Sequence, residues 1–413
     1  MVALGPAADG PARPASRKKA SRIWWEVHQW VGLKFSILLS FILLTGTLAT
    51  LSHEIDWLLR PAMRVDPATV GAQVDWPAVA RTAAAEIGDG RIISLEAPAD
   101  RWFAAAAMVE AADGSLSFVY VHPTTGAFQG HGHWVGAQRI LRNMHRHLMM
   151  PVAIGVPIVT SLAVLMAISL VTSFVVYKKW WRGFLKPIRF SDLRTGLGDF
   201  HRLAGLWSLW FVTLMILTSL WYMAEELAVP APPHPSVKIG PTTQSLAAQA
   251  EALSASYRSV LATNPDLRVE RIMFPTDQSG AFVFQGQDDA ILVRARANAV
   301  WTEAQTGAVR LVADGRDLNL HQRISEAADP LHFGTFGGLA TKLVWFVFGL
   351  ALTGLSISGV AIYALRLLRA ERQPKRWASA LAVSWRGMGP WRWPALGLVV
   401  LGLALIPTVF SQG

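Results

Sequence analysis

From Leu203 to Met223 the chain runs for 21 residues without a charged side chain. At 1.5 Å per helical residue that is about the 30 Å thickness of a bilayer's hydrocarbon core, so the run predicts a transmembrane helix. Just ahead of it stands His201, four residues before Gly205, in Gly198-Asp199-Phe200-His201-Arg202-Leu203-Ala204-Gly205-Leu206-Trp207. The same arrangement opens an earlier apolar run, as Val27-His28-Gln29-Trp30-Val31-Gly32-Leu33. Two spans begin alike, which points to a repeated unit.

Composition narrows the chemistry. The chain is 52% hydrophobic and only 16% charged, too apolar for a soluble domain. Its formal charge of +10 does not argue for nucleic acid, because Lys and Arg cluster beside the apolar runs and form no recognition stripe. Cysteine is absent, which excludes disulfides, thiolate metal sites, iron–sulfur clusters and cysteine nucleophiles together. Redox chemistry must then ride on a cofactor held by other ligands. No dinucleotide fingerprint, P-loop or Ser-His-Asp order is present, so no nicotinamide or flavin domain is expected and no catalytic residue is assigned.

The basic residues set a topology. Residues 1–22 are rich in Pro, Ala, Arg and Lys and read as a disordered cytoplasmic tail ending in Arg17, Lys18, Lys19 and Arg22. The first span (23–53) is too long for a signal peptide and has no small-residue cleavage site, so it is expected to stay as an anchor. A polar segment (54–140) follows, then a second span (141–177) and a basic cytoplasmic loop (178–200). The third span (201–224), a second polar segment (225–330), the fourth span (331–366), a cytoplasmic loop (367–392) and a fifth span (393–410) complete the chain. Trp24, Trp25, Trp180, Trp181, Trp221, Trp345 and Trp393 lie near span ends, as interfacial belts require. Each half crosses twice, so both halves keep one orientation and their symmetry axis runs along the membrane normal.

The polar segments read as compact α+β units. Asp75-Trp76-Pro77 predicts an N-cap opening a helix to Ile87, followed by strands over Arg91–Ala97, Trp102–Glu110 and Leu116–His122, with Asp113-Gly114 as a hairpin turn. The second segment predicts a Pro-rich linker over Val229–Pro235, a helix over Ser245–Thr263, and strands over Val269–Phe274, Ala281–Gln285 and Ala290–Ala295. Both segments close on Thr-Gly-Ala, at Thr125 and at Thr306.

Each half carries a histidine at the start of its outward helix, His28 or His201, and another before its returning helix, His145 or His332. Topology puts His28 and His201 near the cytoplasmic face and His145 and His332 near the outer face, one pair per side. Two neutral imidazoles from facing helices suit the two axial positions of haem b in an apolar bundle, so two haems are expected. A lone interfacial histidine is usually a cap or hydrogen-bond partner, but that role has no reason to recur in register. Gly32 and Gly205 would leave room for a macrocycle inside, and Gly155, Gly334, Gly337 and Gly338 outside. Arg202, Arg142 and Arg146 are candidates for the propionates, or else interfacial anchors. His53 is an alternative outer ligand, a proton relay or a plain interface residue. His131 and His133 read as a solvated loop, His122, His234 and His321 as surface residues, and Met149 and Met150 as packing.

These residues resemble the PepSY-associated transmembrane family, and within it inner-membrane reductases of the iron-uptake type acting on ferric siderophores. The resemblance rests on the His28 segment leading into Leu43-Leu44-Thr45-Gly46 and Ser52-His53-Glu54-Ile55-Asp56, on Leu141–Leu148, on Gly198–Trp207, and on Asp329–Gly334 leading into Leu352-Thr353-Gly354. It extends to the strand–turn signatures His122-Pro123-Thr124-Thr125-Gly126 and Glu303-Ala304-Gln305-Thr306-Gly307, and covers residues 22–370. It implies a duplicated bundle of four core transmembrane helices plus one C-terminal helix, with two periplasmic PepSY-like domains. The implied activity passes electrons from a cytoplasmic or quinol donor, across the bacterial inner membrane, to a ferric siderophore or other ferric chelate. The alternatives are a haem-free regulatory or binding protein, a siderophore transporter, or a haem protein serving copper or a periplasmic redox partner.

Overall fold

The computed structural model describes residues 15–241, 244–276, 279–370 and 377–411. It is mostly helical, with one antiparallel eight-stranded sheet. Helix α1 (Ala15–Lys34) begins inside the segment read as a disordered tail, so residues 15–22 are helical, while residues 1–14 lie outside the described residues.

The first predicted span is not one straight rod. α1 meets α2 (Ser36–Ala49) at a 67° bend on Phe35, and a short α3 (Ser52–Leu59) follows. The third behaves in the same way: α7 (Leu193–Trp207) meets α8 (Leu209–Leu227) at 63° on Ser208. No proline marks either bend. Phe35 and Ser208 carry ψ values of 7° and 4° where a straight helix needs about −42°, and each break follows its histidine at the same offset. Among the described residues, three helical runs are each long and apolar enough to cross a membrane. They are α6 (Val152–Val176), the run Thr335–Ala370, which contains α11 (Gly338–Ala370), and the run Trp377–Phe410. The last comprises α12 (Trp377–Met388), α13 (Arg392–Ala404) and α14 (Ile406–Phe410), so residues 377–388, expected as loop, are helical.

The spans interleave the two halves of the sequence. α6 packs on α8 and α1, α11 packs on α2 and α7, and α13 lies against α2. The α2–α11 seam is lined by small and hydroxyl residues: Ser40 bonds Ser356 at 2.8 Å, and a Cβ added to Gly349 would sit 2.6 Å from Thr47 Oγ1. Such contacts drive helix association where lipid removes the hydrophobic incentive.

The sheet gathers β1 (Arg91–Glu96), β2 (Ala105–Glu110), β3 (Leu116–Val121), β4 (Phe128–His133), β5 (Arg268–Met273), β6 (Ala281–Gln287), β7 (Asn298–Glu303) and β8 (Val309–Ala313) in the order β4-β3-β2-β1-β5-β6-β7-β8. The order mirrors itself about the β1–β5 junction, where Leu95 faces Ile272. Both polar segments therefore build one sheet. Helices α4 (Trp76–Ile87) and α9 (Leu246–Thr263) pack on each other and against it, burying Trp76, Val79, Leu95, Leu253, Ile272 and Phe284 in one shared core. Asp75 caps α4 through Ala78 N at 3.0 Å and Asp113-Gly114 turns the β2–β3 hairpin with Gly114 at φ +85°, both as predicted. The strand expected at Ala290–Ala295 is instead part of an irregular loop, and β7 begins after it. Two further helices precede the returning spans: α5 (Ala137–His147), whose N-terminal amides donate to Asp56, and α10 (Leu320–Phe333), closed by an Asn319/Gln322 capping box.

Candidate functional site

α5 and α10 end where the bundle meets the sheet, and each delivers one histidine inward. The His145 and His332 rings lie with centroids 6.0 Å apart and planes inclined at 36°. His145 Nδ1 bonds the Ile42 carbonyl at 2.9 Å and His332 Nδ1 bonds Thr218 Oγ1 at 2.8 Å. Each ring is thus held by one nitrogen on a bundle helix, α2 or α8, and its Nε2 has no hydrogen-bond partner among the described residues. Both rings line a cavity of about 480 Å³ walled by apolar side chains such as Ile42, Val159, Phe211 and Leu352. Gly46 makes this possible: a Cβ there would stand 2.5 Å from His145 Cε1.

The same cavity is lined by four arginines, Arg142, Arg146, Arg294 and Arg296. Neither Arg142 nor Arg146 has an acidic partner within ion-pair distance among the described residues; Arg142 lies 5.4 Å over the Phe333 ring. Arg294 and Arg296, by contrast, are clamped on the fully buried Glu326. Arg294 donates to it from Nε at 3.0 Å and Nη2 at 2.8 Å, and reaches Asp329 from Nη1 at 2.7 Å. Arg296 Nη2 and His234 Nε2 approach Glu326 Oε1, each at 2.9 Å. Burial alone would push the Glu326 carboxyl up, but hydrogen bonds and charge from Arg294 and Arg296 outweigh it and hold the group at about 2. Tyr222 completes the set, donating to Asp329 at 2.7 Å and lying edge-on to His332 at 5.5 Å.

At the other end of the bundle His28 and His201 follow the same plan. His28 Nδ1 lies 3.1 Å from the Ser169 carbonyl and 3.0 Å from Thr172 Oγ1 on α6; His201 Nδ1 bonds Ser358 Oγ on α11 at 3.0 Å. The two lie within electrostatic reach of one another, and Gly359 passes beside His201. A Cβ on Gly32 would meet nothing within 4 Å, and one on Gly205 only Leu355 at 3.7 Å.

The remaining candidates fall elsewhere. Arg202 is engaged by Asp199 at 3.1 Å and by the Lys186 and Pro187 carbonyls. His53 lines a second, outer cavity and not the one that holds His145 and His332. Gly334 caps α10 in the left-handed region against the Trp345 ring, so it serves a turn and packing. Met150 is in the core, with Met149 packed against it. His131 and His133 are exposed, as expected, but on edge strand β4. His122 is not a surface residue: it is buried, accepting from the Thr124 and Thr125 amides and bonding Thr69 at 2.9 Å. His234 and His321 are also tied inward, to Glu326 and Glu225. Arg294, Arg296, Glu326 and Tyr222 were not anticipated: Arg294 stood in an expected strand, Tyr222 in the third span, and Arg296 and Glu326 in no predicted element.

No curated protein matches the chain. The family model for the PepSY-associated TM region matches residues 25–366, which includes all four histidines, both helix bends and the whole sheet. This multi-pass membrane protein therefore belongs to the PepSY-associated transmembrane family.

Proposed function

We propose that this protein is a bacterial inner-membrane di-haem b-type reductase that passes electrons across the membrane to a ferric chelate. The observation that carries the reading is the His145/His332 pair. Two imidazoles bound to one metal on opposite sides, with bonds of about 2 Å, place their ring centres about 6 Å apart, close to the 6.0 Å found. Among the described residues no three His, Asp or Glu converge on a metal-ion site. Two ligands alone hold a bare ion poorly, whereas a porphyrin supplies the other four donors.

When bound, haem supplies one-electron transfer at a potential tuned by its axial ligands and their hydrogen bonds. The chain's part is to position it. Ile42 O and Thr218 Oγ1 fix the outer rings through Nδ1, and Ser169 O, Thr172 and Ser358 do so for the inner pair. Arg142 and Arg146 offer unpaired charge for propionates in the cavity that holds His145 and His332. The basic clusters after the second and fourth spans support a topology with the inner pair on the cytoplasmic side and the sheet in the periplasm. The matching bends, hydrogen bonds and mirrored strand order support an internal duplication of a four-helix core. Electrons from a cytoplasmic or quinol donor would reach Fe(III) on the periplasmic side. Fe(II) binds hard-oxygen chelators less well, so reduction releases the metal.

The test is a dithionite-reduced minus oxidised spectrum of the purified protein with each histidine changed to Ala in turn. His145→Ala and His332→Ala should each remove the same roughly half of the signal, one centre of two, and His28→Ala and His201→Ala the other half. An unchanged spectrum in His145→Ala and His332→Ala rejects the assignment.

A further inference from the structure

At the end of the bundle that holds His28 and His201, the connection between α6 and α7 is a folded element of its own. Tyr177 ends α6, a single tight turn (Trp180–Gly183) follows, and the chain then folds back along α7. α7 leaves α8 at 63°, so beside a span of ordinary tilt it runs along the bilayer face more than through it. Three contacts fasten the loop to α7. Trp207 donates to the Phe184 carbonyl at 3.1 Å, Arg202 donates to the Lys186 carbonyl at 2.8 Å, and Asp199 accepts from the Arg189 guanidinium at 2.8 Å. Gly183 permits the close fit, since a Cβ there would lie 2.5 Å from Leu206 Cδ1 and 2.8 Å from the Tyr177 hydroxyl. We propose that this loop is a binding site for anionic phospholipid of the adjoining leaflet, with its basic side chains on the phosphates and Leu185 and Phe190 among the acyl chains.

Three observations support it. The first is charge. Residues 177–202 hold seven basic side chains against two carboxylates, and both carboxylates are engaged. Asp199 pairs with Arg189 and Arg202, and Asp192 caps α7 through the Arg194 and Thr195 amides. Lys178, Lys179, Arg182 and Lys186 are all exposed and have no acidic partner within ion-pair distance among the described residues. A basic cluster directly after a span attracts anionic headgroups.

The second is apolar surface. Leu185 is 88% exposed and Phe190 86%, the most exposed large apolar side chains among the described residues, and they stand on either side of Lys186. Water gives such side chains no reason to be presented by a fastened loop, whereas the boundary between headgroups and acyl chains does. The third is depth. An edge-to-face run of aromatic rings carries the span into the loop: Phe174 to Trp180 at 5.5 Å, Trp180 to Phe184 at 6.0 Å, and Phe184 to Trp207 at 6.0 Å. Aromatic side chains of this kind settle at headgroup level. A soluble acidic protein would answer the charge but neither the exposed apolar pair nor this depth.

The experiment places the full-length protein in nanodiscs of equal phosphatidylcholine and phosphatidylglycerol and identifies the lipids it keeps on release by native mass spectrometry. The parent should keep phosphatidylglycerol in preference to phosphatidylcholine. Lys186→Gln should reduce that preference about fivefold, and Lys178→Gln, Lys179→Gln, Arg182→Gln and Lys186→Gln together should abolish it. These four side chains are exposed and make no hydrogen bond among the described residues, so the variants keep the fold. Because the chain has no cysteine, Leu185→Cys gives a single point for a spin label. The label should be relaxed by oxygen dissolved in the bilayer and shielded from an aqueous nickel chelate. Equal retention of the two lipids, a preference unmoved in the fourfold variant, or a label that meets the nickel chelate overturns the proposal, and the last result would assign the loop to a soluble partner. None of these readouts uses haem, so the site stands or falls separately from the electron-carrier reading.

Discussion

Each half of the chain contributes four strands to the shared sheet, and the connection between the second and third of them differs sharply. In the first, β2 and β3 are joined by residues 111–115, a tight Asp113-Gly114 turn at the sheet's solvent edge. In the second, β6 and β7 are joined by residues 288–297, a longer irregular connection that descends to the bundle. That loop delivers Arg294 and Arg296 to Glu326, roofs the cavity between the sheet and the bundle, and brings positive charge to the His332 side of the histidine cavity. The lengthened loop makes the two halves of the sheet unlike where they meet the bundle. The first half then serves as the unmodified reference against which the second can be read.

Making the halves alike is the largest perturbation available. Replacing residues 288–297 with the Ala111–Ser115 turn would strip Glu326 of both arginines and leave His234 beside it. Breaking a buried ion-pair network costs about 3–5 kcal/mol, so the swap should lower the melting temperature of the nanodisc-embedded protein by many degrees. If the melt is unchanged, the loop is not what fastens the sheet to α10. Adding Glu326→Gln to the swap should restore part of the loss, because a neutral amide tolerates the missing partners better.

Next in size is Gly46→Ala. Its Cβ would stand 2.5 Å from the His145 ring, so the ring must leave its place, and overpacking of this kind costs about 1–3 kcal/mol. The matching Thr-Gly of the second half, Thr353-Gly354, meets only the edge of Phe200 at 3.1 Å. Gly46→Ala should therefore remove the outer centre's absorbance while Gly354→Ala keeps both centres. Equal spectra for the two variants would break the assignment of Gly46 as the space left for His145.

A smaller effect, about 2 kcal/mol, is expected from pH. Glu326 is held near 2, below its ordinary 4.5, so the stability it contributes is fully present above about pH 4.5 and is lost as pH falls toward 2. Melting temperature measured from pH 5 to pH 3 should fall more steeply in the parent than in Glu326→Gln. Parallel slopes would place the pH dependence on other carboxylates.

How far these features were legible depends on range. The spans, the four histidines, the Asp75 cap and the Gly114 hairpin were readable because each rests on local composition or a short spacing. The bends at Phe35 and Ser208 were not, since neither residue carries a local signal for a break. Nor was the joining of the polar segments: Leu95 and Ile272 are distant in sequence, and their pairing is decided by a shared core of α4 and α9. The roof loop was misread because Ala290-Ile291-Leu292-Val293 looks like a strand. What overrides that propensity is the pull of Arg294 and Arg296 toward a carboxylate on another element. His122 looked like a surface residue for a similar reason, its partners being set by a turn that closes only in the folded sheet.

The finest difference between the halves lies in how their histidines are held. In the first half the ring nitrogens reach backbone carbonyls, Ile42 O for His145 and Ser169 O for His28, though the His28 nitrogen also meets the Thr172 hydroxyl at 3.0 Å. In the second the partners are side-chain hydroxyls, Thr218 for His332 and Ser358 for His201. On the di-haem reading the outer centre would have one ligand held by backbone and one by a hydroxyl, and the inner centre a hydroxyl beside each ligand. Thr218→Val keeps the shape and deletes the hydroxyl, a change of about 1 kcal/mol in ring orientation and basicity. It should shift the outer centre's reduction potential and loosen its haem while leaving the inner centre's potential in place, and Ser358→Ala should do the converse, both followed by spectroelectrochemical titration. A shift of both potentials by either variant would mean that the pairs are coupled through the bundle and not set by their own hydroxyls. If neither moves, the Nδ1 partners of the second half do not tune the iron, and the two halves hold their rings equivalently.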